Sequence, residues 1–247
     1  MTGPLDTSLG GDARGFPSTH WSLLRDARNR DAPAYRQALE DLCRRYWKPA
    51  YCFARATRDL SNEEAKDAVQ EFFAELIEGD FFARFSPERG SFRAYLKGAL
   101  TLFLLERRRK AGAQKRGGTR KILGLEDSDF TRAEAEARRE GESPEAAFDR
   151  QWAMDAIDHA LRDLEEEYGR SNRDSWFAVF RRYEWGTPGT YADLAREFGI
   201  AESEVGSALA HARRRFRELF LDRIRAYTDS EGEAATELAW ILSLLGR

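Results

Sequence analysis

The sequence predicts an all-α protein, two small helical bundles joined by a flexible linker. Three observations predict it. No stretch alternates apolar and polar residues with the period of a strand, whereas apolar residues recur three and four apart over most of the chain. Between residues 112 and 142 that recurrence lapses, and Gly112, Gly117 and Gly118 fall among runs of charge, the composition of a tether. Beyond it, Tyr191 to Phe220 reads as two short helices around a tight turn. The implied divisions are a mobile arm over 1–15, a first helical unit over 16–111, the linker over 112–142, a second unit over 143–228 and an amphipathic tail over 229–247.

Taken in order, residues 1–15 are rich in Gly, Thr, Ser and Asp and offer little to bury. Ser18 is placed to cap a short helix holding Trp21, Leu23 and Leu24. Pro33 opens the next helix, where its missing N–H costs nothing, and Tyr35, Leu39, Leu42, Cys43 and Tyr46 form its apolar face. Pro49 predicts a kink or a restart after Trp47, with Tyr51 and Phe53 continuing inward. Ser61 with Glu64 makes a capping box. The helix it starts buries Val69, Phe72, Phe73, Leu76 and Ile77, turns Asp67, Gln70, Glu71 and Glu75 outward, and ends at Gly79. Phe85 to Gly90 is a turn, and Ser91 caps a helix with Phe92, Tyr95, Leu96, Ala99 and Phe103 inside. That helix runs out through Arg107, Arg108, Arg109 and Lys110, cations suited to the negative end of a helix.

The second unit begins at Ser143-Pro144, an N-cap followed by proline at the first helical position. Phe148, Trp152, Ala156, Ala160, Leu161 and Leu164 supply its stripe, and Trp176, Phe177, Phe180 and Tyr183 that of the following helix. Gly186 to Gly189 turns the chain. Leu194, Ala195 and Phe198 then share one face, and Gly199 sits where a helix end favours positive φ. In the next helix Val205, Leu209, Ala212 and Phe216 point inward; Ser203, Ser207, Ala210 and Arg214 point outward, flanked by His211. Such a pair is either an ordinary helical hairpin or a helix-turn-helix whose second helix enters the DNA major groove. Arg213, Arg214, Arg215 and Arg217 suit phosphates. After Asp229, Leu238, Trp240, Ile241, Leu244 and Leu245 mark a last amphipathic segment.

Composition narrows the function. The 247 residues are 42% hydrophobic and 34% charged. No apolar run approaches the ~20 residues of a membrane span, and the N-terminus lacks a basic-then-apolar leader, so a cytoplasmic protein without membrane contact is expected. Cys43 and Cys52 lack metal-ligand spacing and are expected to be reduced packing residues. No nucleophile–base pair, phosphate-cradling loop or metal-ligand set is visible; no catalytic residue, cofactor or metal is expected. Net charge is −3, but its distribution is uneven: basic residues from Arg107 to Lys121 include Lys115 and Arg116, and acidic residues crowd from Glu126 to Glu145. That asymmetry suits a protein meeting DNA with some surfaces and a protein partner with others.

Three stretches, in order, resemble the bacterial RNA polymerase sigma factors of the extracytoplasmic-function group. Asp67-Ala68-Val69-Gln70-Glu71-Phe72-Phe73 resembles the D-x-V/T-Q-E-x-F/V core of the family's region two, which docks on the coiled coil of the largest polymerase subunit. Phe85-Ser86-Pro87-Glu88-Arg89-Gly90-Ser91-Phe92-Arg93-Ala94-Tyr95-Leu96 resembles F-D-P-x-R-G-x-F-x-x-W-L, which leads into the helix and loop that melt and read the −10 element. Tyr191 to Phe220 resembles the region-four reader of the −35 element, with Val205 and Leu209 four apart as in the family.

The resemblance implies a sigma factor that binds core RNA polymerase and promoter DNA, with an anti-sigma factor as a further partner. It implies Asp67, Gln70, Glu71 and Glu75 as polymerase-binding residues. As DNA-binding residues it implies Arg107, Arg108, Arg109, Lys110, Lys115 and Arg116 at −10, and Ser203, Ser207, His211, Arg213, Arg214 and Arg215 at −35. The sequence departs from the pattern at Leu102, where the family has a polar pocket residue, and at Gly206 and Ala208, where it often has basic ones. Those departures keep an alternative open, a sigma-like DNA-binding regulator or adaptor without initiation activity of its own.

Overall fold

The structure, a computed structural model, describes residues 20–57, 60–86, 91–111, 130, 133–134, 137, 141–187, 189–225, 235, 237–239 and 241. The expected arm over 1–15, the Ser18 cap, the Pro87–Gly90 turn, Lys115, Arg116, Trp240, Leu244 and Leu245 lie outside the described residues. The protein is all-helical, and no described residue lies in a strand. Its helices are α1 (His20–Arg28), α2 (Tyr35–Ala56), α3 (Asn62–Glu78), α4 (Phe81–Arg84), α5 (Phe92–Ala111), α6 (Pro144–Arg170), α7 (Asp174–Trp185), α8 (Tyr191–Phe198) and α9 (Glu202–Arg225).

Local signals in the sequence set most of the starts. Ser61 Oγ accepts from the Glu64 N–H at 3.3 Å, and the Glu64 carboxylate accepts from the Ser61 N–H at 2.8 Å. These bonds stabilise the charged form, holding the Glu64 carboxyl below its usual range. Ser91 and Ser143 cap α5 and α6 through the Ala94 and Ala146 N–H groups, each at 3.2 Å. Thr190 and Asp193 form a second reciprocal box on α8.

At Pro49 a kink or a restart is expected, and no restart occurs. Helix α2 runs through it from Tyr35 to Ala56. An internal proline costs a helix roughly 3 kcal/mol. Around this one, Tyr46, Trp47, Ala50, Tyr51, Cys52, Phe53 and Ala54 are all buried, and their packing offsets that cost.

The buried side chains gather into two clusters. The first draws on α1 to α5, on Phe130, Ala133 and Ala137, on the first half of α6, on the end of α9 and on Leu238 and Ile241. The second draws on the last part of α6 with α7, α8 and the first half of α9. Helix α6 therefore serves both. Its stripe advances by four residues, Phe148, Trp152, Ala156 and Ala160 into the first cluster, then Leu164 and Tyr168 into the second. At 27 residues it is about 40 Å long. Phe216 and Leu219 of α9 touch both clusters as well.

Part of the segment expected as a tether is packed. Phe130, Ala133, Glu134 and Ala137 are helical and share one face. The Phe130 ring lies edge-on to Trp47 and Tyr51, with centroids 5.3 Å from each. Glu134 grips the guanidinium of Arg55, which is only 5% exposed, through bonds of 2.7 and 2.6 Å. Tyr51 Oη lies 2.5 Å from the same carboxylate. By spacing alone this segment is charged and weakly apolar; among its described residues Phe130, Ala133 and Ala137 are buried.

Polar groups line the seam between α2 and α6. Gln151 is fully buried; its amide donates to Asp155 Oδ1 at 3.0 Å and accepts from the Cys52 thiol at 3.6 Å. Lys48 Nζ stands 3.4 Å from Asp155. Cys43 and Cys52 are both free and buried, and burial pushes the Cys43 thiol up to about 12. Burial also pushes the Asp155 carboxyl up to about 6, against the opposing pull of Lys48. A carboxyl raised in the folded chain stabilises the fold when neutral, and that stabilisation is lost as pH rises through the folded value. Stability of the wild type, read by urea denaturation, should therefore fall relative to Asp155→Asn between about pH 4 and pH 6, by up to about 1.4 kcal/mol per unit. Parallel profiles for the two chains would contradict this.

Candidate nucleic-acid and partner interfaces

The first surface is the outer side of α3. Asp67 is half-buried, and Glu71 and Glu75 are exposed. Gln70 was expected to face outward; it is only 5% exposed. Its Oε1 is enclosed and has no hydrogen-bond partner among the described residues. Burial, and next the neighbouring Glu71, raise the Glu75 carboxyl above its usual range.

The structure brings this acidic face against the basic end of α5. Arg107 donates through Nε to Glu71 at 3.0 Å and through Nη1 to the Glu64 carbonyl at 3.2 Å. An arginine expected on DNA is thus a strap between α3 and α5. Arg108, Arg109 and Lys110 are exposed beyond it. On the same helix Leu102 and Leu105 stand 64% and 48% exposed.

The second surface is α9, whose geometry follows from its turn. Gly199 closes α8 at φ 66°, in the left-handed region that glycine occupies without strain. The Ile200 N–H then bonds the Ala195 carbonyl at 3.1 Å. Val205, Ala208, Leu209 and Ala212 are buried. Ser203, Ser207, Ala210, Arg214 and Arg217 are exposed and fall on one stripe. Ala208 therefore belongs to the packed side, where a small residue lets the helices approach, rather than to the reading face. A Cβ on Gly206 would stand 3.8 Å from the Tyr191 ring.

Several expected DNA residues have other partners in this arrangement. His211 is turned inward, with Nδ1 2.6 Å from Tyr168 Oη and its ring 5.7 Å from that of Trp176. Arg213 donates to Glu184 at 2.7 Å and its guanidinium covers the Tyr183 ring at 5.1 Å. Arg215 donates to both Glu167 oxygens at 2.9 Å and to Glu218 at 2.9 Å. Hydrogen bonds to these carboxylates, first of all causes, raise both guanidinium pKa values. Arg214 and Arg217 remain on the exposed stripe.

Sequence reasoning missed an exposed aromatic group beside α9. Tyr183, Trp185 and Tyr191 are each more than a third exposed. Tyr183 and Tyr191 meet edge to face, with centroids 6.1 Å apart. A cavity of about 640 Å³ near Trp185 is lined by Arg181 and Arg182 with Glu165 and Asp174, and contains none of the expected site residues. Among the described residues no group of three or more His, Cys, Asp or Glu side chains forms a metal site, and no helix is long and apolar enough to cross a membrane.

The split among the arginines has a measurable consequence. If the exposed stripe of α9 meets DNA, Arg214→Ala should flatten the salt dependence of binding by about one unit of log–log slope, the loss of one phosphate contact. Arg215→Ala should instead lower stability by about 1 kcal/mol and leave the slope unchanged. Anisotropy titrations across salt, with urea denaturation alongside, separate the two. Equal slope losses would mean that the Arg215 pairs open on DNA.

No family model, no curated protein and no solved structure matches this chain.

Proposed function

We propose that this chain is a promoter-specificity subunit, a sigma factor that binds core RNA polymerase and directs initiation at promoters with −10 and −35 elements. The observation that carries the proposal is α9. Its exposed stripe of Ser203, Ser207, Ala210, Arg214 and Arg217 is backed by a buried stripe and entered through a left-handed Gly199. Short polar side chains with flanking arginines suit base edges and phosphates respectively. The three motifs and their order add the polymerase.

In this proposal α3 docks on polymerase through Asp67, Glu71 and Glu75, with the buried Gln70 shaping that face. The exposed end of α5 serves the −10 element, and α8 with α9 serves −35. The finer architecture belongs here too: on polymerase the two helical units act as separate bundles, and the chain over 112–142 connects them. The location is the cytoplasm, where polymerase works.

One observation favours the second reading, a sigma-like regulator or adaptor without autonomous initiation. Leu102 is 64% exposed where the resembled family places a polar pocket residue. Transcription in vitro with core polymerase and no other factor decides between them; productive initiation excludes the adaptor.

Asp67→Arg should weaken capture of core polymerase by about tenfold, the effect of losing one well-placed charged contact. Its affinity for duplex DNA should stay unchanged. A pull-down alongside an anisotropy titration checks both. Unchanged capture would remove α3 as the docking helix, and no capture by the wild type would end the proposal.

A further inference from the structure

From Glu202 to Ala212, the first turns of α9, the exposed stripe is built from short side chains alone. Ser203, Ser207 and Ala210 follow one another at four and three residues, and all three are exposed. Gly206, half-buried beside them, adds no side chain to the flank. The long polar side chains of these turns lie elsewhere. Glu204 accepts from the Trp176 indole N–H at 2.8 Å, and His211 Nδ1 stands 2.6 Å from Tyr168 Oη. Glu202 is exposed but sits more than a quarter turn from the stripe.

A helix in the major groove discriminates bases by what its side chains offer. Bidentate recognition of guanine takes arginine or lysine, that of adenine takes asparagine or glutamine, and cytosine N4 calls for a carboxylate. Over these turns the stripe has none of them. It has two hydroxyls, which donate to or accept from any base edge, and one methyl group. The feature that a bare methyl group recognises in the major groove is the C5-methyl of thymine. Short neighbours also let the helix approach the base edges closely enough for the Ala210 Cβ to touch them. A long side chain at 203, 206 or 207 would hold it off.

We propose that Ala210 is the specificity-determining residue of α9 and selects thymine, by apolar contact with its C5-methyl group, at one position of the −35 element. This rests on the promoter-specificity reading. Ser203 and Ser207 position the helix and tolerate several bases. A contact between two methyl groups involves no charge, so its selectivity persists at salt concentrations that weaken the phosphate contact of Arg214.

The test begins with duplexes recovered from a randomised library by the full-length chain together with core RNA polymerase. At one thymine of the −35 element, in either strand, replacement by uracil deletes only the methyl group. It should weaken binding about fourfold, the worth of one buried methyl, and equally at low and high salt. This comparison uses the wild type and does not depend on a variant folding. Ala210→Gly, checked for helicity by circular dichroism, should bind the thymine and uracil sites equally. Ala210→Asn should recover adenine at that position, since a carboxamide bonds adenine N6 and N7. Uracil tolerated at every thymine of the element would overturn the assignment and leave the promoter reading standing. So would a thymine preference that persists in Ala210→Gly or in Ala210→Asn. If chain and polymerase recover no defined sequence, the promoter reading fails and the assignment falls with it.

Discussion

The first half of α6 is buried against α2, and a polar group inside such a seam must be paired or the packing is lost. Gln151, fully buried, meets this demand by bridging the Cys52 thiol and Asp155, with Lys48 completing the row. Phe148 and Trp152 on the same face supply the apolar area, each contributing about 1.5–3 kcal/mol on burial. Because α6 is continuous, whatever fixes its first half also positions Leu164 and Tyr168 in the second cluster. Tyr168 then receives His211, and Glu167 receives Arg215. The orientation of α9 thus depends on a seam earlier along α6.

This dependence changes the meaning of the charged residues. In the sequence, a run of arginines on α9 and another on α5 read as one sort of surface. In the fold they divide. Arg107, Arg213 and Arg215 tie helices together, whereas Arg109, Lys110, Arg214 and Arg217 stay exposed. Exposed cations are screened by salt and act on a polyanion; those bonded to carboxylates act first on geometry. The proposed docking face shows the same division, since Glu71 is held by Arg107 while Asp67 and Glu75 are not so engaged in that pair.

Much of the fold was legible because its determinants are local. Capping at Ser61, Ser91 and Ser143 needs only residues three positions apart, and Gly199 needs only a helix end. The outward stripe of α9 follows from the helical period. The remainder depends on pairings that no window contains. Glu134 meets Arg55 across 79 positions, and Lys48 meets Asp155 across 107. Ala208 looked like a gap in a reading face because spacing alone left open whether it lay inside or outside the packed stripe. Pro49 looked like a break because the packing around α2 is not a local property. At the candidate sites, the sequence located the faces, and tertiary partners determined which side chains on them remain exposed.

The central claim is that α6 belongs to both cores. It is tested most directly by spin labels on exposed sites of α2 and α7, with their separation measured in solution. The account predicts one narrow distance distribution, since the continuous α6 is packed into both cores. A broad distribution, or two separate populations, would contradict it.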